Sequence, residues 1–387
     1  MKQIFKKSNY ITLIILILLI LSSGSIAYSS EPPFVIITID VESRKFNDAS
    51  WPMPEQVNAV CMNNVPCGLG KMTELLKEKG FPAVFFLNVY EYKKYGEKPI
   101  MELAKWFDGA GHDVQLHTHP QWAYDKARNL THQYTLDEQI KIIKDGKYLL
   151  EKWLGKPVLA HRAGAYGADE NTLKALIEND ILYESSLFIA SENSKVTALD
   201  LRKNVLSMYG PLYEFPVTVY RKHESPPFLE GLLKPVSRVR KYDVNWFADA
   251  DEAEKALQKA VELKLDFIIL FLHSFSFVEE YHNDGAKKAR MSSIKNFERA
   301  LDFIAKNKLP VITFKDIKDK NVDLTKYLNK PDVIPEVSVR VGAAQYIRRL
   351  IGINRGNYKV VVLSASILII FSVVVIMQLR KRRRQNA

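Results

Sequence analysis

Between residues 34 and 318, short apolar runs alternate with longer stretches of helical periodicity. The runs are FVIITID from Phe34, FPAVFFL from Phe81, DVQLH from Asp113, PVLAHR from Pro157, ILYESS from Ile181, LYEFPV from Leu212, DFIILFLH from Asp266 and PVITF from Pro310. Their shortness and their Val, Ile and Phe content mark buried strands. The helical stretches carry their own start signals. Thr135 and Glu138 form a capping box ahead of Leu136, Ile140, Ile143 and Leu150, which share one helical face. Ser293 precedes a second stripe of Ile294, Phe297, Leu301 and Ile304, and residues 249 to 264 have a strong helix composition. About eight strand and helix alternations in one segment predict an α/β barrel formed as a single domain, with an open doubly wound sheet as the competing architecture.

The pattern changes at both ends. Lys2, Lys6 and Lys7 precede the apolar run ITLIILILLIL, and SSGSIA with Ser25 and Ala27 follows. This is the layout of a signal peptide, or of an uncleaved signal anchor, over residues 1–30. Residues 359–379 contain the uncharged segment Val360 to Leu379, followed by RKRRR in a basic tail over 380–387, as in a transmembrane helix with a cytoplasmic stop signal. The barrel is expected over 31–320. Residues 321–358, with Pro331 and Pro335 and few clustered apolar side chains, read as a linker and juxtamembrane segment. These signals place the protein at the cell membrane on a single-pass anchor, with its main domain outside the cytoplasm.

Charge is consistent with that reading. The formal net charge is +11, but residues 1–30 contribute +3 and residues 339–387 contribute +10, which leaves −2 for everything between them. A nucleic-acid partner needs a basic face on the folded part, and the sequence offers none. The only two cysteines, Cys61 and Cys67 in CMNNVPC, suit an oxidising compartment, and the sequence leaves a disulfide and free thiols both open.

In a barrel, chemistry gathers at the C-terminal ends of the strands. The first run ends in Asp40, with Glu42 just beyond. The third ends in His117 and His119, the fourth in Arg162 and the last long one in His273. Taken singly, Asp40 is equally a loop cap and His273 equally a core histidine. Together they are two acids, three imidazoles and a guanidinium brought to one mouth. His117 and His119 lie two apart, so on an extended strand end they point to the same side and can share one metal ion. Two imidazoles with one carboxylate and an open position are the set that catalytic zinc favours. His112, on the entry side of its strand, reads as structural. Tyr92, Trp122, Tyr166 and Trp246 lie near the strand ends, where an aromatic ring either packs in the fold or stacks on a ligand.

In order and approximate spacing, ITIDVE, FPAVFFL, GHDVQLHTH, HRAGAY and IILFLHS resemble the NodB-homology polysaccharide deacetylases, carbohydrate esterase family four, over about residues 34 to 318. The resemblance implies a distorted (β/α) barrel that removes acetyl groups from N-acetylated polysaccharide or oligosaccharide, a hydrolase of linear amide C–N bonds using a divalent metal, usually zinc. By position it makes Asp40 the catalytic base, Arg162 the residue orienting that base, His117 the first metal histidine and His273 the general acid. The chemistry needs these types: a carboxylate to take a proton from water, a metal to polarise the acetyl carbonyl, an imidazole to protonate the departing amine. Three positions depart from the family. Val41 follows Asp40 where a second acid is usual, which makes Glu42 the expected ligand beside His117 and His119, with Gln121 or a water as the alternative third ligand. Gln121 stands where the second histidine is usual, four after His117. Asn245-Trp246 stands for the family's Asp-Trp pair. Two other readings follow from these departures and from the H-x-H pair: a catalytically inactive barrel that binds glycan or an envelope partner, and another barrel metal amidohydrolase.

Overall fold

The computed structural model describes residues 31–46, 49–199, 201–226, 235–342, 345–347 and 349. The expected signal segment, transmembrane helix and basic tail lie outside the described residues. Among the described residues no helix is long and apolar enough to cross a membrane.

The main sheet has eight strands: β1 (Phe34–Val41), β2 (Val84–Asn88), β3 (Asp113–Thr118), β4 (Ala160–Ala163), β5 (Tyr183–Glu184), β6 (Ser207–Tyr209), β7 (Leu212–Glu214) and, late in the chain, Phe267–His273. The last of these is β10, because β8 (Val219–Ser225) and β9 (Val236–Lys241) precede it and pair elsewhere. Across the sheet the order is β6-β7-β5-β4-β3-β2-β1-β10, parallel throughout except for the antiparallel β6–β7 pair. Helices α1 (Leu69–Lys79), α2 (Glu97–Gly109), α3 (Leu136–Leu154) and α4 (Glu170–Glu178) follow in turn, then α5 (Ala250–Glu262), α6 (Met291–Lys306) and α7 (Phe314–Asp319). The capping box at Thr135 and Glu138 starts α3 as the sequence predicts, and Asp249 caps α5.

Strand alternation sorts the side chains into two layers. Ile37, Ile39, Phe85, Leu87, Leu116, Leu270 and Leu272 pack outward against Phe107, Ile143, Leu150, Leu257 and Leu301 of the helices. Ile36, Val84, Phe86, Ala160, Phe215 and Ile269 fill the inner side, closed from below by Phe314 of α7. The register continues that inner face upward through Thr38 to Asp40 on β1, to His117 on β3, to Arg162 on β4 and to His273 on β10.

The barrel is closed by a seam rather than a ladder. Between the β5/β7 edge and β10, the chain at 215–218 and at 242–244 supplies single bonds: Val217 N donates to Leu187 O (2.9 Å), Tyr242 N to Thr218 O (3.1 Å) and Phe271 N to Tyr242 O (2.7 Å). Pro216 interrupts the run LYEFPV here, so only Leu212–Glu214 pairs regularly. This is the distortion of the expected barrel. PVITF gives no regular strand either: Val35 and Val311 make one isolated bridge, and the chain turns at Thr313 into α7, whose capping box uses Asp316.

A second sheet of order β9-β8-β11 flanks the barrel, with β11 (Glu336–Arg340) running parallel to β8. This corrects the boundary at residue 320. Part of the expected linker over 321–358 is folded onto the domain, with Val337 buried and Leu324 packed against the inner core. Cys61 and Cys67 form a disulfide within the loop between β1 and α1.

Candidate active site and metal centre

Backbone register brings the expected residues together. Asp40 pairs directly with His273 across β1 and β10, and His117 with Arg162 across β3 and β4. Glu42 lies past the end of β1, where Ser274 holds it: Glu42 N donates to Ser274 Oγ (3.3 Å) and Ser274 Oγ to Glu42 O (3.1 Å). Gln56 Nε2 adds a bond to the same carbonyl (3.0 Å). The next residue is held as firmly, since Ser43 N donates to Glu91 Oε1 (2.8 Å) and the Ser43 hydroxyl contacts the other Glu91 oxygen.

Arg162 is fully buried between the rings of Phe86 and Phe271, 4.4 and 5.2 Å from their centroids. Each nitrogen has an acceptor: Nη1 meets Asp40 Oδ1 (2.8 Å) and Thr38 Oγ1 (3.0 Å), Nη2 meets Ser185 Oγ (2.9 Å), and Nε meets Ser185 O (3.0 Å). That set fixes the guanidinium plane, and with it one oxygen of Asp40. The other oxygen, Oδ2, faces His117 Nε2 at 3.9 Å.

Glu42, His117 and His119 offer three ligand atoms all within 4.8 Å of one another. Glu42 Oε2 lies 3.6 Å from His117 Nε2 and in direct contact with His119 Nε2, and Oε1 lies 3.9 Å from His273 Nε2. His117 donates Nδ1–H to the Arg162 carbonyl (2.8 Å), the tautomer that leaves Nε2 free to bind a cation. Burial pushes the Glu42 carboxyl up, but the imidazoles of His119, His117 and His273 outweigh it and hold the group well below the usual carboxylate range. Burial pushes His119 down, and the Glu42 carboxylate more than reverses this. A compact carboxylate and imidazole set, with one histidine already in a ligating tautomer, fits a divalent ion such as zinc. Solvent reaches the cluster on the side of His119, Glu42 and His273, whose side chains are 13%, 16% and 26% exposed against 1% for His117.

Space for His119 depends on Gly164: a Cβ there would lie 2.5 Å from His119 Cε1 and Nδ1. The two residues after Gly164 have left-handed backbone, Ala165 at φ 49° and Tyr166 at φ 61°.

Several participants were not read from the sequence. Lys241, at the end of β9, is buried with its Nζ 3.5 Å above the Phe271 ring, donating to the Tyr166 hydroxyl (2.9 Å) and paired with Asp243 (3.1 Å). Burial, and then the Lys241 charge, push His273 down to about 4. Asn245 supports the His273 turn: its Nδ2 donates to Ser276 Oγ (3.2 Å), which accepts from His273 N (2.9 Å). His112 is structural as expected, accepting from Ala83 N (3.3 Å) and pushed down to about 4 by burial. Of the four aromatic candidates, Tyr166 is buried against Phe188 and Phe271. Trp246 packs on Phe188 beside Arg240, Trp122 on Tyr95 beside Lys94, and Tyr92 is half-buried next to Lys93.

Solved structures similar to the chain include a Mycobacterium smegmatis protein described as a polysaccharide deacetylase (17% identity, 81% of this chain and 99% of that one, TM-score 0.45). A Streptomyces lividans family 4 carbohydrate esterase (10%, 78% and 98%, 0.39) and a Bacillus anthracis family 4 pseudoenzyme (12%, 81% and 71%, 0.40) are also similar. No curated protein matches the chain. Residues 52–183 match the polysaccharide deacetylase family model, a span that includes His117, His119 and Arg162. Asp40 and Glu42 stand before that span and His273 after it, so the match covers about a third of the chain and three of its six candidate site residues.

Proposed function

We propose that the protein is a metal-dependent deacetylase of an N-acetylated envelope or exported polysaccharide. The observation that carries this reading is the joining of the Glu42, His117 and His119 donor cluster to the Asp40–Arg162 pair on one side and His273 on the other. A divalent ion held by Glu42, His117 and His119 would supply polarisation of the acetyl carbonyl and stabilise the negative charge that develops on its oxygen. Asp40, its Oδ1 fixed by Arg162, takes a proton from the attacking water at Oδ2. The new bond joins the water oxygen to the acetyl carbon. The C–N bond breaks, and His273 Nε2 delivers a proton to the departing amine. A histidine pushed down to about 4 is neutral at pH 7 in the resting protein. The proton that Asp40 takes from water is therefore the one that passes to His273 and from it to the amine, and the cycle closes with acetate and amine formed.

The test is acetate release by the purified chain from a broad panel of N-acetylated glycans, with and without added zinc. The expected result is release that a chelator stops and zinc restores. Binding of metal and glycan with no release from any substrate would favour the inactive, glycan-binding barrel.

The domain from Glu31 to Val339 is assigned to the outside of the cytoplasm, on an anchor formed by 359–379. The supports are the signal-like start, the RKRRR stop and the disulfide, a bond suited to an oxidising compartment. Protease added to cells with a permeabilised outer envelope should digest this span. Full protection of it would exclude the topology.

A further inference from the structure

His117 and His119 are prepared differently for a cation. His117 gives its Nδ1–H to a main-chain carbonyl, so its Nε2 lone pair is free. His119 Nδ1 instead lies 3.2 Å from Gln121 Nε2, an amide nitrogen that can only donate. In that arrangement Nδ1 is the acceptor, and the ring proton sits on Nε2, which is in contact with Glu42 Oε2 but makes no hydrogen bond among the described residues. The other amide atom, Gln121 Oε1, is buried with no hydrogen-bond partner among the described residues. A half-turn of the amide about Cγ–Cδ exchanges oxygen for nitrogen at nearly unchanged shape. Oε1 then accepts Nδ1–H, and Nε2 presents its lone pair towards Glu42 and His117.

We infer that Gln121 is a positioning residue for the metal centre, selecting through its amide oxygen the tautomer of His119 that binds the ion. The inference rests on the metal-site reading above and adds to it the reason His119 can serve. Gln121 stands where the family has its second histidine. It is held there by a short turn over Pro120–Trp122, in which Trp122 N donates to His119 O (3.2 Å). Gly164 leaves the room the His119 ring needs. Partners of this kind, one bond removed from the metal, typically change affinity by about 10- to 100-fold.

The experiment measures zinc affinity of the full-length chain in detergent by competition with a chromophoric chelator, for wild type, Gln121→Leu and Gln121→Glu. The cobalt(II) absorption spectrum of each is recorded alongside. Leucine removes the acceptor and should weaken zinc binding about tenfold or more. Glutamate can only accept from Nδ1–H and should bind as wild type or tighter. The cobalt spectrum of the glutamate variant should match wild type, because the ligand atoms are unchanged. Equal affinity of the leucine variant and wild type would overturn the role of Gln121, as would equal weakening in both variants. A changed cobalt spectrum in the glutamate variant would overturn it in favour of residue 121 as a direct ligand. A wild-type chain that takes up no zinc overturns the metal site itself, an outcome distinct from these.

Discussion

Replacing Asp40 by Asn is expected to lower acetate release by about 10³-fold, within the range for loss of a general base, while zinc stays bound. Asparagine keeps an oxygen for Arg162 Nη1 and the shape of the side chain, but it cannot take a proton. None of the three atoms in the metal cluster belongs to Asp40. The same change removes the counter-charge of a guanidinium that is fully buried between two rings, with only neutral acceptors left at Thr38 and Ser185. Leaving such a charge unpaired typically costs about 3–5 kcal/mol, so thermal unfolding of the variant should begin at a lower temperature. Assays therefore belong well below that transition, with circular dichroism confirming the fold. His273→Ala should slow turnover by about 10²-fold. The double variant should lose less than the two single losses combined, because both residues serve one proton's path. An Asp40→Asn chain that is folded and zinc-loaded and releases acetate at the wild-type rate would remove Asp40 from the chemistry.

The strand ends were legible because burial on both faces writes parallel strands as unbroken apolar runs, so a polar residue closing such a run stands out. FVIITID closing in Asp40 and DFIILFLH closing in His273 are of this kind. Their pairing was not legible. It depends on β1 and β10 being neighbours in register, although 232 residues separate Thr38 from Leu270, which it contacts. The same signal overreached where proline intervened, at Pro216 and Pro310. There the apolar content reflects packing into the seam and onto α7, not ladder pairing.

The second sheet was missed for the opposite reason. VYRKHES, VSRVRK and EVSVR are rich in charge, some of it exposed, as at Arg238 and Glu336, and some buried in ion pairs, as at Lys222 with Glu224 and Glu252, and this charge hides the period-two alternation that Val337 and Val339 carry. Lys241 and Asp243 lie at the end of such a strand, so nothing local marked them as neighbours of His273. The fourth-position histidine gap was visible as Gln121. What the gap does became visible only with the ring of His119 placed against the amide.

His117→Ala should cost more than about 10²-fold in zinc affinity, beyond the range of supporting residues, because three protein donors leave none to spare. His117 is the most buried of the three and the one already in its ligating tautomer, so its loss removes the best prepared donor. His119→Ala should also lose affinity, with a water entering from the exposed side as a poorer substitute. Affinity should depend on pH in a way the two charged ligands dictate. Glu42, held well below its usual range, is ionised throughout the neutral region and contributes no slope there. His119, raised by Glu42, carries a proton that zinc must displace, so affinity should climb as pH rises through the raised value and level off above it. The metal-free chain has the converse dependence. The Glu42 and His119 contact stabilises the fold where the carboxylate is ionised and the imidazole charged. That contribution is lost as pH falls through the depressed Glu42 value and as it rises through the raised His119 value. Zinc titrations by calorimetry between pH 5.5 and 8, in a buffer that does not bind the ion, would display the climb as about one proton released per zinc at the low end. A pH-independent affinity in wild type, or full zinc occupancy in His117→Ala, would place the ion elsewhere than on these residues.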